Sequence, residues 1–398
     1  MFIQKLKFIL SVLVLINAIL FPLYGQDDES AVVMGTVLDA NTNKPLHNVN
    51  ISILGTLKGA ATDEDGSYVI HNVPGSYFQI VVSYVGYETQ KNLLEISNGS
   101  TVKQDFFLKE QEFQLGEVIV KDEIDEQWRK NLKIFESQFL GILKNSNSTH
   151  ILNPYIINFT SDDDGWLIAK AKEPILVKNE TLGYNISFFL DIFQSKSSTI
   201  NILGEPFFED ILDDSLDQNN SNIRDARIET YCGSLKHFLH AAAKQYILDS
   251  LQKGTKTYDG ESYLSKQGFK VYETKYEPNM INFNSIDSPV DMNDFFSRSS
   301  NESEVYLEFP KFLKIVYNRE SEDPIYLTKH GKTRKNINSN SQISWISIPF
   351  GSVLINKNGY FSNLSYIKTY GYWSYELLSS ILPYEYSVPD SILENYSQ

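Results

Sequence analysis

The stretch that decides the fold runs from Met34 to Glu88 and reads MGTVLDANTNKPLHNVNISILGTLKGAATDEDGSYVIHNVPGSYFQIVVSYVGYE. Apolar residues alternate with polar or small ones over Val49 to Ile53 and over Phe78 to Tyr84. A period of two is typical of half-buried strands. Turn-forming residues separate the runs, at 41–45, 55, 63–66, 74–75 and 86. Short strands at this spacing predict an all-β sandwich, with further strands over 87–96, 102–108 and 117–120.

Several motifs in and after this stretch are more specific than the strand pattern. They are Gly35-Thr-Val37-x-Asp39, Gly59-x-x-Thr62-Asp63-x-Asp65-Gly66-x-Tyr68, Val82-Ser-Tyr84-Val-Gly86-Tyr87-Glu88 and Leu115-Gly-Glu-Val-Ile-Val120. Together they resemble the carboxypeptidase-regulatory-like domain of exported Bacteroidota proteins. The last motif resembles the segment that closes this domain in TonB-dependent receptors. The resemblance implies a transthyretin-like Greek-key sandwich over residues 31–120.

The N-terminus has the pattern of a signal peptide. Lys5 and Lys7 precede an apolar run from Phe8 to Phe21, and Gly25 offers a small residue for cleavage. The run is short for a membrane span, and no stop-transfer pattern follows it. We therefore expect an exported protein that loses residues 1–25 and keeps no integral membrane span. A retained N-terminal anchor is the alternative interpretation.

Composition excludes some classes of partner and site. The 398-residue chain carries a formal net charge of −15, which argues against nucleic acid because phosphate binding needs a positive surface. Cys232 is the only cysteine, so neither an intrachain disulfide nor a cysteine-based metal site can form. A chain of this length can hold two or three domains, each with its own core.

Beyond Lys121 the pattern changes to helices mixed with strands. Apolar residues at spacings of three and four predict one helix from Ile124 to Ile142 and another over about 223–251, interrupted at Gly233 and capped by Ser234. Strands are predicted at 155–159, 166–171, 182–193, 305–307, 313–317, 343–348 and 352–355. Loops are predicted at 213–222, 276–301 and 329–341. We predict a larger α+β domain over 121–398, which resembles the uncharacterised C-terminal part of the same Bacteroidota proteins and inherits no activity from them.

Ser234 and His237 are the candidate site residues of this second domain. At about 100° per residue, His237 lies opposite Leu235 and Leu239, which predicts a solvated helix face. The functional alternative is a binding or acid-base histidine in a groove. The sequence around Ser234 lacks the second glycine of a Gly-x-Ser-x-Gly nucleophile turn, so we assign no catalytic residue.

No metal or cofactor is expected. None of the six histidines begins a His-x-x-Glu or His-Glu-x-x-His motif, so the zinc site of a carboxypeptidase is not predicted. The Asp63-x-Asp65-Gly66 segment lacks the acidic twelfth residue of a calcium loop, because that position is Pro74. We interpret it as a turn, and Asp162 to Gly165 likewise.

The sequence therefore favours a non-enzymatic exported protein of the cell envelope, periplasmic or associated with the outer membrane. Its β-sandwich would present an α+β domain that binds an envelope protein or an extracellular ligand. The alternative is an envelope hydrolase that acts on peptide or glycan, with its site in residues 121–398.

Overall fold

The structure is a computed structural model that describes residues 30–111, 126–197, 199–212, 218–251, 262–274, 278, 288–301, 304–330, 341–349, 351–361 and 366–396. The chain forms two compact units. Of the described residues, the first unit contains 30–52 and 58–111, and the second contains 53–57 and those from 126 onward. The predicted signal peptide and the predicted strand at 117–120 lie outside the described residues.

The first unit is a β-sandwich. Its strands are β1 (Ala31–Asp39), β2 (Asn50–Ile53), β3 (Gly59–Ala61), β4 (Ser67–Val73), β5 (Ser76–Ser83), β6 (Gln90–Ile96), β7 (Thr101–Lys103) and β8 (Phe106–Leu108). Among the described residues, one sheet has the order β4-β1-β7 with β8 also paired to β1, and the other has the order β3-β2-β5-β6. Val33 and Val37 of β1 are fully buried, while Met34 between them is 40% exposed. This alternation is the period of two seen in the sequence, and the predicted all-β sandwich is confirmed.

The hydrogen bonds of Asp39 show why an aspartate ends the Gly35-Thr-Val37-x-Asp39 motif. Its Oδ1 accepts hydrogen bonds from the backbone N–H groups of Asn41 and Thr42, at 3.0 and 2.7 Å, and from the Thr42 hydroxyl. Its Oδ2 accepts from the Tyr87 hydroxyl at 2.9 Å. The hydrogen bond from the Thr42 N–H contributes most to lowering the pKa of Asp39 below its usual value. Asp39 thus fixes the first turn and ties it to the Gly86-Tyr87 segment.

The turn predicted at Asp63 to Gly66 is present. The Asp63 carboxylate accepts from the backbone N–H groups of Asp65 and Ser67, at 3.0 and 2.8 Å. Gly66 has a φ of 71°, the left-handed conformation that glycine adopts without steric cost. These contacts account for the acidic pair as turn residues.

The second unit is built on antiparallel sheets. Its first strands are β9 (Thr149–Ile151), β10 (Ile157–Ser161), β11 (Leu167–Ala171), β12 (Ile175–Asn179), β13 (Tyr184–Lys196) and β14 (Thr199–Asp210), in the order β10-β11-β13-β12-β9 with β14 paired to β13. The later strands are β15 (Phe269–Thr274), β16 (Ser288–Pro289), β17 (Phe296–Arg298), β18 (Glu304–Leu307), β19 (Phe312–Tyr317), β20 (Gln342–Ser347), β21 (Val353–Asn356) and β22 (Lys368–Gly371). Their described pairings give the orders β16-β15-β19-β20-β22 and β17-β18-β21.

Helices pack on these sheets and confirm the α+β class. They are α1 (Glu126–Phe139), α2 (Gln218–Tyr231), α3 (Leu235–Leu251), α4 (Tyr263–Lys266), α5 (Pro324–His330) and α6 (Asp390–Leu393). The predicted apolar stripe of α1 meets the first sheet, with the Phe135 and Phe193 rings 4.6 Å apart. The α3 residues Phe238, Leu239 and Ala242 are fully buried. None of the helices in the described ranges is long and apolar enough to cross a membrane.

Two loop predictions were wrong. The predicted loop at 213–222 overlaps α2, which begins at Gln218 and whose Asn220 is buried. Arg227 anchors this helix, because its guanidinium donates to the Asp210 carboxylate at 2.7 and 3.0 Å and lies 3.9 Å from the centre of the Tyr184 ring. The predicted loop at 276–301 contains β16 and β17 in its described part. In both segments, tertiary contacts outweigh the polar composition.

Candidate functional site

A small cavity of about 40 Å³ in the second unit is lined by charged and amide side chains. Four carboxyl groups line it, from Glu229 of α2, from Glu320 and Asp323 before α5, and from Glu376 after β22. Lys144 supplies an ammonium group at the same cavity. A concave site with convergent polar groups is the usual form of a small-ligand site.

Two of the four carboxyl groups are compensated by groups of the protein itself. The Lys144 ammonium forms an ion pair with Glu229. Asp323 accepts hydrogen bonds from the backbone N–H groups of Lys144 and Ile325, at 3.1 and 2.7 Å. These contacts hold the cavity wall together and fix two of its charges.

Glu320 and Glu376, the other two carboxyl groups of the wall, have raised pKa values. Burial and, to a smaller extent, the charge of the neighbouring Glu229 raise the pKa of Glu320 to about 8, although Lys144 acts in the opposite direction. Burial also raises the pKa of Glu376 to about 8, with the charge of Glu320 as the second cause. Both carboxyl groups therefore hold their protons at neutral pH. A carboxyl group of this kind can ionise when a cation arrives, or can donate a proton to a bound molecule.

Three residues that line the cavity also have a buried oxygen without a hydrogen-bond partner. These oxygens are Asn145 Oδ1, Gln342 Oε1 and Glu320 Oε2. The side chains of Asn145 and Gln342 are only 5% and 3% exposed. The Asn145 amide is held at its other end, where Nδ2 donates to the Thr230 hydroxyl at 2.9 Å. An unmatched buried acceptor is costly, so these oxygens favour a donor in the cavity.

Cys232 and Tyr372 complete the titratable groups of the wall. Burial raises the pKa of the Cys232 thiol to about 12, so the thiolate required for nucleophilic chemistry is not populated at neutral pH. Burial likewise raises the pKa of Tyr372 above its usual value, and the charge of Glu376 adds to the effect. Both groups are neutral lining residues.

His237 does not lie on a solvated helix face, as one interpretation of the sequence had predicted. It is 1% exposed, and its ring lies 4.8 Å from that of Phe269 and 5.2 Å from that of Tyr231. Burial lowers the pKa of His237 to about 3, so the imidazole is neutral. The prediction was wrong because α3 is surrounded by protein at this turn, so the face opposite Leu235 is buried too.

Ser234 and His237 are neighbours, but their side chains do not bond to each other in the manner of a serine hydrolase. The Ser234 hydroxyl donates to the Tyr231 carbonyl at 2.7 Å and accepts from the His237 backbone N–H at 3.2 Å. His237 Nδ1 accepts from the Gly233 N–H at 3.1 Å. The predicted capping of a new helix by Ser234 is confirmed.

Replacement of Ser234 by alanine should destabilise the protein by about 1 kcal/mol, because α3 loses its N-terminal cap. Urea unfolding of the full chain measures this change. The Ser250→Ala variant is the control, since that hydroxyl donates to the Ile247 carbonyl within the same helix. It should change the free energy of unfolding by less than about 0.5 kcal/mol. Equal effects of the two substitutions would contradict the capping role.

Sequence reasoning missed the cavity residues, although one signal for them existed. Glu376 follows the aromatic segment Tyr372–Tyr375, where an isolated acid predicts a buried or functional carboxylate. Asn145 and Glu320 gave no comparable signal, because polar residues surround them in the chain. Within the described residues, no three acidic, histidine or cysteine side chains are grouped so that they could hold a metal ion.

Comparison with known proteins identifies the class of the first unit. Residues 33–120 match the family model of the CarboxypepD_reg-like domain, so the resemblance predicted from the motifs is confirmed. TonB-dependent receptor P39 of Formosa agariphila is 39% identical to this chain over 88 residues. The match covers 22% of this chain and 8% of the receptor, so the chain spans only a small part of that relative.

Solved structures give weaker similarities. The 3-chlorocatechol 1,2-dioxygenase of Rhodococcus opacus 1CP is 12% identical, with 22% of this chain and 63% of that chain covered and a TM-score of 0.19. The TIE protein of Bacillus anthracis is 15% identical, with 46% and 32% covered and a TM-score of 0.19. Similarities of this size carry no argument about the present chain.

Proposed function

We propose that this protein is exported to the bacterial cell envelope, where its α+β unit binds a ligand or partner through the carboxyl-lined cavity. The CarboxypepD_reg-like sandwich would serve as a scaffold, in the periplasm or at the outer membrane. Support for the location comes from the signal-peptide pattern before Gln26 and from the similarity of the sandwich to part of a TonB-dependent receptor.

The single observation that carries the binding role is the unmatched set of polar groups in the cavity. The pKa values of Glu320 and Glu376 are raised, although the Lys144 charge acts to lower that of Glu320, and three buried oxygens of lining residues have no hydrogen-bond partner. A folded protein seldom leaves several buried polar groups unmatched at one place unless a ligand or water completes them. Binding needs only these groups, whereas hydrolysis also needs an activated nucleophile or water.

An envelope hydrolase remains the second candidate, and one observation favours it. A carboxyl group with a pKa of about 8 is protonated at neutral pH, which is the state required of a general acid in the cleavage of glycans. A second carboxyl group, which could act on water, lies at the same cavity. The two candidate functions therefore use the same residues. A test for product formation distinguishes them.

Location is tested by expressing the full chain with a C-terminal tag in a Bacteroidota host and fractionating the cells. We expect the protein in the envelope fractions, with the mass of a chain that begins at Gln26. A variant that lacks residues 1–25 should stay in the cytoplasm. Recovery of the full-length chain from the cytoplasm would contradict the proposal.

Turnover is tested by incubating the purified full chain with libraries of peptides and glycans. The binding proposal predicts no products above background. Cleavage by the natural chain, abolished by Glu376→Gln and retained by Glu308→Gln, would establish the hydrolase instead. Glu308 is the matched control because it is an exposed glutamate outside the cavity wall.

A further inference from the structure

Three residues that line the cavity of the second unit, Asn145, Gln342 and Glu320, each have a buried oxygen without a hydrogen-bond partner. The two amide oxygens accept hydrogen bonds, and the Glu320 carboxyl group does so with both oxygens once it has lost its proton. An ammonium group offers three donors and no acceptor. A ligand rich in donors therefore matches what this wall leaves open.

The charged groups of the cavity wall also favour a ligand that carries an ammonium group. The wall carries four carboxyl groups and one ammonium group, and Lys144 is already paired with Glu229. An additional positive charge would meet Glu320, whose pKa stays raised although the Lys144 charge acts to lower it, and Glu376, whose pKa is raised by burial and by the charge of Glu320. An anionic ligand would face repulsion from the same groups.

The volume of the cavity limits the part of the ligand that can enter. About 40 Å³ suffices for one ammonium group or a few water molecules, but not for a sugar ring or an aromatic side chain. The side chain of Lys144 in the wall is 55% exposed, so the cavity lies next to solvent, where the remainder of a longer ligand could stay.

A bound metal ion fits the described residues less well than an ammonium group. No three acidic, histidine or cysteine groups of the described chain converge as metal ligands. An ammonium group tolerates a mixed set of amide and carboxyl oxygens, because each of its N–H groups needs only one acceptor.

We propose that this cavity binds a primary ammonium group, either from a small free amine or from a lysine side chain of a partner. The inference rests on the proposed binding role of the second unit and names the chemical class of its ligand. Asn145, Gln342 and Glu320 would accept the three N–H groups, and ionised Glu376 would balance the positive charge.

Proton release provides a distinctive signature. The titratable groups that face Glu320 and Glu376 are Lys144, Glu229, Cys232, Asp323 and Tyr372. An ammonium group favours the ionised form of both glutamates, so their pKa values fall on binding and protons leave. Affinity should therefore rise with pH from about 6 to 8, by up to about tenfold per pH unit for each proton released. The ligand itself stays charged in this range, because the pKa of an alkylammonium group is about 10.

The test is isothermal titration calorimetry of the full chain with n-butylamine, with n-butanol as the neutral control. We expect saturable binding of the amine, no binding of the alcohol, and tighter binding at pH 8 than at pH 6. Glu376→Gln and Asn145→Ala should each weaken binding at least tenfold, and Glu308→Gln should leave it unchanged. Circular dichroism of each variant verifies that it is folded, so that lost binding reports on the cavity.

Further titrations distinguish the two sources of the amine. A short peptide with an unmodified lysine that binds at least tenfold more tightly than n-butylamine would assign the site to a partner's lysine. Equal affinities would assign it to a free amine. The matching peptide with acetylated lysine should not bind in either case.

Three results would overturn the inference. They are equal binding of n-butanol and n-butylamine, binding of calcium chloride that Glu376→Gln abolishes while the amine does not bind, and amine binding that Glu376→Gln leaves unchanged. Failure here is distinguishable from failure of the proposed function. If the amines do not bind but the chain reaches the envelope and captures another ligand through the cavity, only the ammonium assignment falls.

Discussion

Replacement of Gly35 by alanine is expected to destabilise the sandwich by more than about 3 kcal/mol, the largest effect of any single change discussed here. A Cβ atom at this position would lie 1.9 Å from the carbonyl oxygen of Gln104, a backbone atom that cannot move aside. Gln104 lies between β7 and β8, and both strands pair with β1. The close approach of the two backbones therefore requires a residue without a side chain.

Hydrogen exchange, followed on the segments that contain β1 and β8, measures the loss of stability within the sandwich. Thermal unfolding measures the loss of stability for the whole chain. Gly86→Ala is the control in the same unit, because a Cβ there would meet nothing within 4 Å. Its positive φ of 85° should cost only about 1 kcal/mol. If Gly35→Ala were no more destabilising than Gly86→Ala, the account of the β1 contact would be wrong.

Replacement of Glu376 by glutamine is expected to stabilise the protein at pH 8.5 by about 1 to 3 kcal/mol and to have little effect at pH 5. The pKa of Glu376 is raised to about 8 in the folded protein, above the usual value of 4.5. The folded state therefore holds a proton that the unfolded state has lost, and stability falls as pH rises from about 4.5 to 8. Glutamine resembles the protonated acid and does not ionise, so the variant does not lose this stability as the pH rises.

Urea unfolding at the two pH values measures the change. Glu308→Gln, an exposed substitution of the same type, should alter stability equally at both. A Glu376→Gln variant that is destabilised at pH 8.5, or that shows no dependence on pH, would contradict the protonated state of this half-buried carboxyl group.

The sandwich could be predicted from the sequence because its determinants are local. Asp39 bonds to residues two and three positions further along, and Asp63 to residues two and four positions further along. The alternation within β1 and β5 follows directly from the geometry of a strand. Such short-range patterns are visible in a single sequence.

The second unit was harder to predict, because its elements depend on distant partners. β12 has a weak pattern of its own and is held between β13 and β9. The polar start of α2 is helical where the sequence favours a loop, and Arg227 ties this helix to Asp210 of β14 and to the Leu182 carbonyl. His237 of α3 is buried where the sequence predicts a polar face, because other parts of the protein pack around this turn of the helix.

The cavity could not be predicted at all from residue spacing. Asn145, Glu320 and Glu376 belong to distant segments and meet only through tertiary packing. Ser234 and His237 attracted attention because they are close in sequence, but their contacts are those of a helix cap and a buried ring. Proximity along the chain indicated a structural pair, whereas the candidate site is assembled from distant residues.

The cavity is proposed to release protons from Glu320 and Glu376 when it binds a cation. Calorimetric titration of n-butylamine at pH 7, in two buffers of different ionisation enthalpy, counts the protons released on binding. We expect release of about one proton or more per amine bound, because both carboxyl groups have pKa values of about 8 in the protein without the amine. Amine binding with no proton release, or no binding at all, would contradict it.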